Sequence, residues 1–265
     1  MKVKRKFFEK NDLKYTLMTV LTFVVFLMLW QVLAMNNLIV GEYTPSPSEV
    51  LEAFIFKIYN VGPDGNLLIT NILTSLQISM SGFVLAVIIG VPLGLLMGWY
   101  RLLDRFVRPI FEIIRPIPAV SWIPLMIVWI GVGTEAKAVI IFLTAFIPCV
   151  LNSYTGIRQT SQALINVAKV YGASNFYTFL HVGVPSTVPM IFAGMRIALA
   201  SSWSCLVAAE MLAASAGLGY MINMGRNFGR ADVVVLGMII IGFIGYIFTT
   251  VFTVIEKIVV RGGTI

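Results

Sequence analysis

Long apolar runs separated by short polar stretches dominate the chain. Runs able to cross about 30 Å of hydrocarbon lie near Thr16 to Met35, Ile72 to Tyr100, Pro116 to Gly133, Ala136 to Gly156, Val188 to Leu212 and Val233 to Lys257. They predict an all-α integral membrane protein with six transmembrane helices. An even number of crossings puts both termini on one side. The second run exceeds what a bilayer needs, which predicts a kink at Pro92 or an outer extension. The third holds Pro116, Pro118 and Pro124 and predicts an irregular, bent start that either serves a gate or shapes an entry loop.

Composition supports this reading. The 265 residues are 58% hydrophobic and 12% charged, against about 25% charged in soluble domains, so a water-soluble enzyme is excluded. A net charge of +7 suits the cytoplasmic ends of membrane spans better than a nucleic-acid surface. With the N-terminus inside, fourteen basic residues fall on inner segments: six from Lys2 to Lys14, then Arg101, Arg105, Arg108, Arg115, Arg158, Lys169, Lys257 and Arg261. Four fall on outer ones, Lys57, Lys137, Arg226 and Arg230. This imbalance predicts that both termini are cytoplasmic. The first run exceeds a signal-peptide core and lacks a small-x-small cleavage pattern, so it reads as an uncleaved anchor. Residues 1–66 then form a basic N-terminus, first helix and outer loop, and residues 67–265 the core domain.

Inside the membrane, Gly90, Gly94 and Gly98 line one face of the second helix and predict close approach of a neighbour. The fifth helix is rich in small residues from Ala193 to Ala209 and should be central. It carries Arg196 and Glu210 about four turns apart, too far to pair. Charges within spans are functional candidates; Arg196, Trp203 and Glu210, with Asn152 of the fourth helix, are the candidates for a translocation path. Cys149 and Cys205 lie in apolar runs and read as packing, and no metal or catalytic set is evident. The lone His181 lies in a polar stretch.

The inner loop 157–187 is not linker-like. Gln162 to Tyr171 reads as a short helix that Gly172 ends, and Ser174 can cap a second through Leu180, with Pro185 leading into the fifth span. Here Asn166-Val167-Ala168, Gly172, Val182, Val184 and Pro185 match the spacing of the Glu-Ala-Ala signature of bacterial ATP-binding-cassette (ABC) importer permeases, with Asn166 and Val167 departing from Glu-Ala. Arg115-Pro116-Ile117-Pro118, Trp122-Ile123-Pro124-Leu125, Trp129-Ile130-Gly131-Val132-Gly133, Gly172-Ala173-Ser174 and Ala209-Glu210-Met211 with Gly217-Leu218-Gly219-Tyr220 resemble the nitrate, taurine and aliphatic-sulfonate branch. The resemblance spans roughly residues 70 to 257. It implies a type I importer permease fold with one extra N-terminal helix, in a multi-pass protein of the bacterial inner membrane. Asn166, Ala168, Gly172, Ala173, Ser174, His181 and Pro185 would engage the ATPase. It further implies a homodimer, two cytoplasmic ABC ATPase subunits and an extracytoplasmic substrate-binding protein, with no nucleic-acid partner. No Gly-x-x-x-x-Gly-Lys-Ser/Thr loop occurs, so ATP and Mg would be held by a partner and this chain would be no enzyme and bind no cofactor itself. The expected cargo is a small anion such as a sulfonate, taurine or nitrate; a neutral or aromatic vitamin precursor and an ion-coupled secondary transporter are the alternatives.

Overall fold

A computed structural model describes residues 12–36, 44–212 and 214–261, and all regular structure among them is helical. The basic residues from Lys2 to Lys10, and Glu42, lie outside the described residues. In chain order the helices are α1 (Asp12–Met35), α2 (Pro47–Tyr59), α3 (Leu68–Trp99), α4 (Arg101–Ile114), α5 (Ile123–Ile130), α6 (Thr134–Arg158), α7 (Gln162–Val170), α8 (Asn175–Thr178), α9 (Val184–Leu212), α10 (Leu218–Asn227) and α11 (Ala231–Arg261).

The centre of the bundle is α6, which packs on α3 and α9 more extensively than any other pair packs. The glycines of α3 make this possible. A Cβ on Gly82 would lie 2.7 Å from the Ala138 carbonyl oxygen, one on Gly90 3.1 Å from Cys149 Cβ, and one on Gly94 2.9 Å from Ser153 Cβ. Gly98 sits equally tightly on Tyr154 and Ile157. Only bare backbone allows this approach. As numbering rises on α3 it rises on α6, so the two helices are parallel. Gly194 of α9, by contrast, faces Asn152 while Thr187 and Met190 face Gly156; α9 is antiparallel to α6.

Parallel neighbours require a crossing between them, and the structure corrects how that crossing is made. Among the described residues five helices are long and apolar enough to span by themselves; the third crossing is a pair, α4 and the segment Ala119–Ile130, bent by 83°. Residues 101–114, expected within an inner loop, form the amphipathic α4, and Pro116 and Pro118 mark the bend because neither can donate to a helical ladder. The pair follows α6 in reverse. Asp104 accepts a 3.3 Å hydrogen bond from Tyr154, Phe111 meets Phe146 with ring centroids 6.4 Å apart, and Ile123 and Met126 cluster with Ala136 and Ile140. Six crossings therefore result.

The α1 helix stands almost free of the bundle, exposed on nearly all sides in the manner of a lipid-facing anchor. Its last turns reach α2, where Trp30 Nε1 donates to the Pro45 carbonyl (3.1 Å) and Gln31 Nε2 to Ser48 Oγ (3.0 Å). The α2 helix begins with a Ser46–Glu49 capping box and Pro47 in its first turn. Cys149 and Cys205 are both buried, in different apolar clusters.

Candidate functional site

Two regions at opposite ends of the bundle carry the features singled out in the sequence. The first is the connection between α6 and α9. After α7 the chain reverses through a closed hydrogen-bond motif: Ala173 N donates to Ala168 O and Gly172 N to Lys169 O, both at 3.0 Å. Gly172 has φ +77°, the left-handed conformation that closes such a helix end. This explains the Ala168–Gly172 spacing, since the first glycine past the helix must fall four residues after the accepting carbonyl. Ser174 Oγ accepts from Tyr177 N at 3.2 Å and caps α8. Asn166 Oδ1 accepts from Gln162 Nε2 (3.0 Å) along the exposed side of α7. His181 stacks on Tyr177, with ring centroids 4.0 Å apart, and Pro185 is exposed at the start of α9.

The second expected short helix does not end near Leu180. A π turn, Phe179–Gly183, carries α8 directly into α9, so Asn175–Leu212 is one 38-residue rod. Val184 N donates to Phe179 O, a wider register placed just before Pro185, whose missing N–H would otherwise interrupt the ladder. The rod rests on the end of α3: Trp99 Nε1 donates to Asn175 Oδ1 (3.2 Å), and the Trp99 and Phe179 rings lie 5.6 Å apart. Among the described residues no comparable ring or hydrogen-bond contact with another helix holds α7. None of its residues is buried, and Leu164, Val167, Val170 and Tyr171 form an exposed apolar stripe, the last two 85% and 87% exposed. Phe176, Tyr177 and Leu180 of the same connection are exposed as well, and clustered exposed apolar side chains mark contact surfaces.

The second region is a buried polar cluster at the opposite face. Lys57, fully buried, donates to Asp64 Oδ1 and to the Asn66 carbonyl, both at 2.5 Å. Asn71 Nδ2 donates to Asp64 Oδ2 (2.7 Å). Ser75 Oγ donates to Glu210 Oε1 (2.7 Å). Three successive amides entering α10 find side-chain acceptors: Gly217 N on Asn71 Oδ1 (3.0 Å), Leu218 N on Ser75 Oγ (2.9 Å) and Gly219 N on Glu210 Oε2 (2.8 Å). Lys137, also buried, contributes a second positive charge near Glu210. Lys57 and Lys137 are thus not free loop charges. At this face Arg226 is exposed, while Arg230 forks onto Asp232 at 2.7 and 3.0 Å and lies 5.4 Å over the Phe56 ring.

The four residues considered for a translocation path are not brought together. Arg196 and Trp203 share a cavity of about 160 Å³ between α9 and α11, where Arg196 pairs with Glu256 at 3.3 Å and Trp203 Nε1 donates to the Ile241 carbonyl at 3.0 Å. Asn152 donates to the Pro148 carbonyl of its own helix (2.9 Å) and packs on Gly194. Glu210 is enclosed in the polar cluster. Sequence reading counted Lys57 only as an outer charge and did not single out Asp64, Asn71 or Ser75. Their signal was present: Asn71 and Ser75 are polar, four residues apart, at the head of an apolar helix.

Residues 90–262 match the family of binding-protein-dependent transport system inner membrane components. The chain belongs to this family. It is 37% identical over 222 residues to a putative ABC transporter permease protein of Methanocaldococcus jannaschii, covering 83% of this chain and 82% of that one. It is also similar to the taurine transport system permease protein TauC of Escherichia coli (34% identity, 85% and 82% covered). The nitrate import permease protein NrtB of Leptolyngbya laminosa is 32% identical, with 89% and 84% covered. The fold is similar to a chain of the MetNI methionine ABC transporter in an inward-facing conformation, with a TM-score of 0.64 and 21% identity over 72% of this chain and 95% of that one. This ABC permease is a non-catalytic, multi-pass inner-membrane subunit of an importer, and its family works with an ATPase and a binding protein.

Proposed function

We propose that the permease forms a homodimer that carries a small anion, such as a sulfonate, taurine or nitrate, across the inner membrane. Two cytoplasmic ABC ATPase subunits grip its α7–α8 connection, and a binding protein delivers solute from outside. The observation that carries this reading is the exposed apolar stripe of α7, held in place by the Gly172 turn and continued by the exposed Phe176, Tyr177 and Leu180. In this scheme Asn166, Ala168, Gly172, Ala173, Ser174, His181 and Pro185 belong to the contact with the ATPase. ATP and Mg are held wholly by that partner. Both termini are cytoplasmic, on the same side as α7. Burial of Lys57 and Lys137 strengthens the charge argument, because it removes two of the four basic residues counted against this orientation.

In the same scheme Arg196, Trp203 and Asn152 belong to the path. Arg196 is half-exposed despite its pairing with Glu256, which leaves donors available to an anion passing α9. Two relatives are named for taurine, a sulfonate-bearing zwitterion, and for nitrate; the negatively charged oxygen-bearing group common to both supports a cargo that presents one. The test is reconstitution of the permease with its ATPase and binding protein in vesicles. Uptake of one such anion, dependent on ATP inside and on binding protein outside, is the expected result; ATP-dependent uptake restricted to uncharged solutes would reject the anion assignment.

A further inference from the structure

The buried cluster around Glu210 contains more structure than solute passage or ATPase contact requires. Five residues separate the end of α9 from the start of α10, so stiffness between these helices must come from side chains. Glu210, in the last turn of α9, accepts from Gly219 N, and Ser75 of α3 donates to the same carboxylate while accepting from Leu218 N. Ser75 is therefore shared by three helices. The glycines make the fit specific. Gly217 has φ +126°, and a Cβ there would strike the Glu210 carboxyl; a Cβ on Gly219 would lie 2.8 Å from Glu210 Cβ. Asn223 Nδ2 adds a further bond from α10 to the Met211 carbonyl at 2.9 Å.

At the other end of the molecule the same two elements meet again. Trp99 of α3 holds the rod through Asn175 and Phe179. The rod rises about 1.5 Å per residue, so its α8 end and Glu210 are roughly 50 Å apart. Thus α3 and the rod are fastened to each other beside the α7–α8 connection and again, through Ser75 and Glu210, at the opposite face, where α10 is attached.

We propose that α3, the α8–α9 rod and α10 act as one lever, and that Ser75 and Glu210 are positioning residues whose clasp makes α10 its working tip. Force applied by the ATPase at α8 is then delivered at the far mouth, and contact there is reported back to the ATPase by the same route. Glu210 serves this linkage by holding the first turn of α10; it touches no solute. The proposal rests on the ATP-driven reading above, and its test separates the two.

The complete complex, with ATPase and binding protein, is reconstituted in nanodiscs, and ATP hydrolysis is measured with and without binding protein. Variants are Ser75→Ala, Glu210→Ala and the pair together, each also carrying Met211→Cys and Asn223→Cys. A short cleavable methanethiosulfonate bridge then ties α9 to α10 independently of the clasp. The expected result is at least a fivefold loss of stimulation by binding protein in complexes that still assemble, restored by the bridge and lost again on reduction. Stimulation that survives the double substitution, or a loss that the bridge leaves unrepaired, overturns the lever. If Glu210→Ala prevents assembly, Ser75→Ala with and without the bridge decides by the same criteria. Absence of stimulation in the unsubstituted complex instead rejects the ATP-driven reading.

Discussion

Gly172 and Asp64 show how single residues set this molecule's two ends. At φ +77° Gly172 occupies a conformation that costs a side-chain-bearing residue roughly 1–2 kcal/mol and a β-branched one more. Nothing lies within 4 Å of a Cβ added there, so Gly172→Val acts through the backbone alone. The turn after α7 should reopen, and the apolar stripe should point elsewhere. The expected outcome is a chain that inserts normally but no longer co-purifies with its ATPase; retained co-purification would remove the turn from the contact. Asp64 is different, because its work is electrostatic. Removing it as Asp64→Ala leaves Lys57 buried and uncompensated, which costs about 3–5 kcal/mol. A lower unfolding midpoint in detergent is expected. The double replacement Lys57→Met with Asp64→Asn should recover part of it, since no buried charge is left uncompensated and an amide oxygen can still accept from Asn71 Nδ2. If the double variant is as unstable as the single one, the pair does more than neutralise itself.

Between helices, the stripe of glycines on α3 sets the spacing of the bundle. A side chain on Gly94 would collide with the Val150 carbonyl and approach Ser153 Cβ to 2.9 Å. Backbone cannot move aside as a flexible side chain can. Gly94→Ile should therefore force α3 from α6 and cost at least the 1–3 kcal/mol typical of overpacking, read as a lower unfolding midpoint. Gly242→Ala, with no atom within 4 Å of the added carbon, is the neutral control. This stripe was legible in the sequence because four-residue spacing and helical geometry coincide. The α4–α5 pair was not. Its arginines at 101, 105, 108 and 115 read as an inner loop, whereas Leu102, Phe106, Ile110 and Ile113 recur at helical spacing and are exposed on α4 as a membrane-facing side. Helix α2 was signalled by Ser46-Pro47-Ser48-Glu49, a capping box with proline in the first turn, in a stretch read only as an outer loop. The continuity of α8 into α9 had no sequence signal: Pro185 argues for a break, and only the π turn reconciles it with a rod.

For the whole molecule, the source of energy is the property that its parts determine jointly. The α9 helix runs antiparallel to α6 and also to α11, where Trp203 meets Ile241 and Arg196 meets Glu256, so two crossings bring the α7–α8 connection and the last described turn of α11 to one face. The sequence holds no Gly-x-x-x-x-Gly-Lys-Ser/Thr loop, and under the function proposed above nucleotide energy enters through a partner that meets the exposed α7. An ion-coupled mechanism needs a titratable group that exchanges with water across the membrane. Glu210, the acidic residue within α9, has no exposed surface and has its two carboxylate oxygens engaged by Ser75 and Gly219. Arg196 is tied to Glu256, leaving no isolated charge at mid-membrane on α9. These arrangements predict that solute uptake in cells continues when a protonophore collapses the proton gradient while ATP is maintained, and stops when ATP is depleted with the gradient intact. Measuring labelled-anion uptake under both conditions checks it. The reverse pattern would mean that Glu210 opens to water during the cycle, and that the clasp it forms with α10 is a closed gate and not a lever joint.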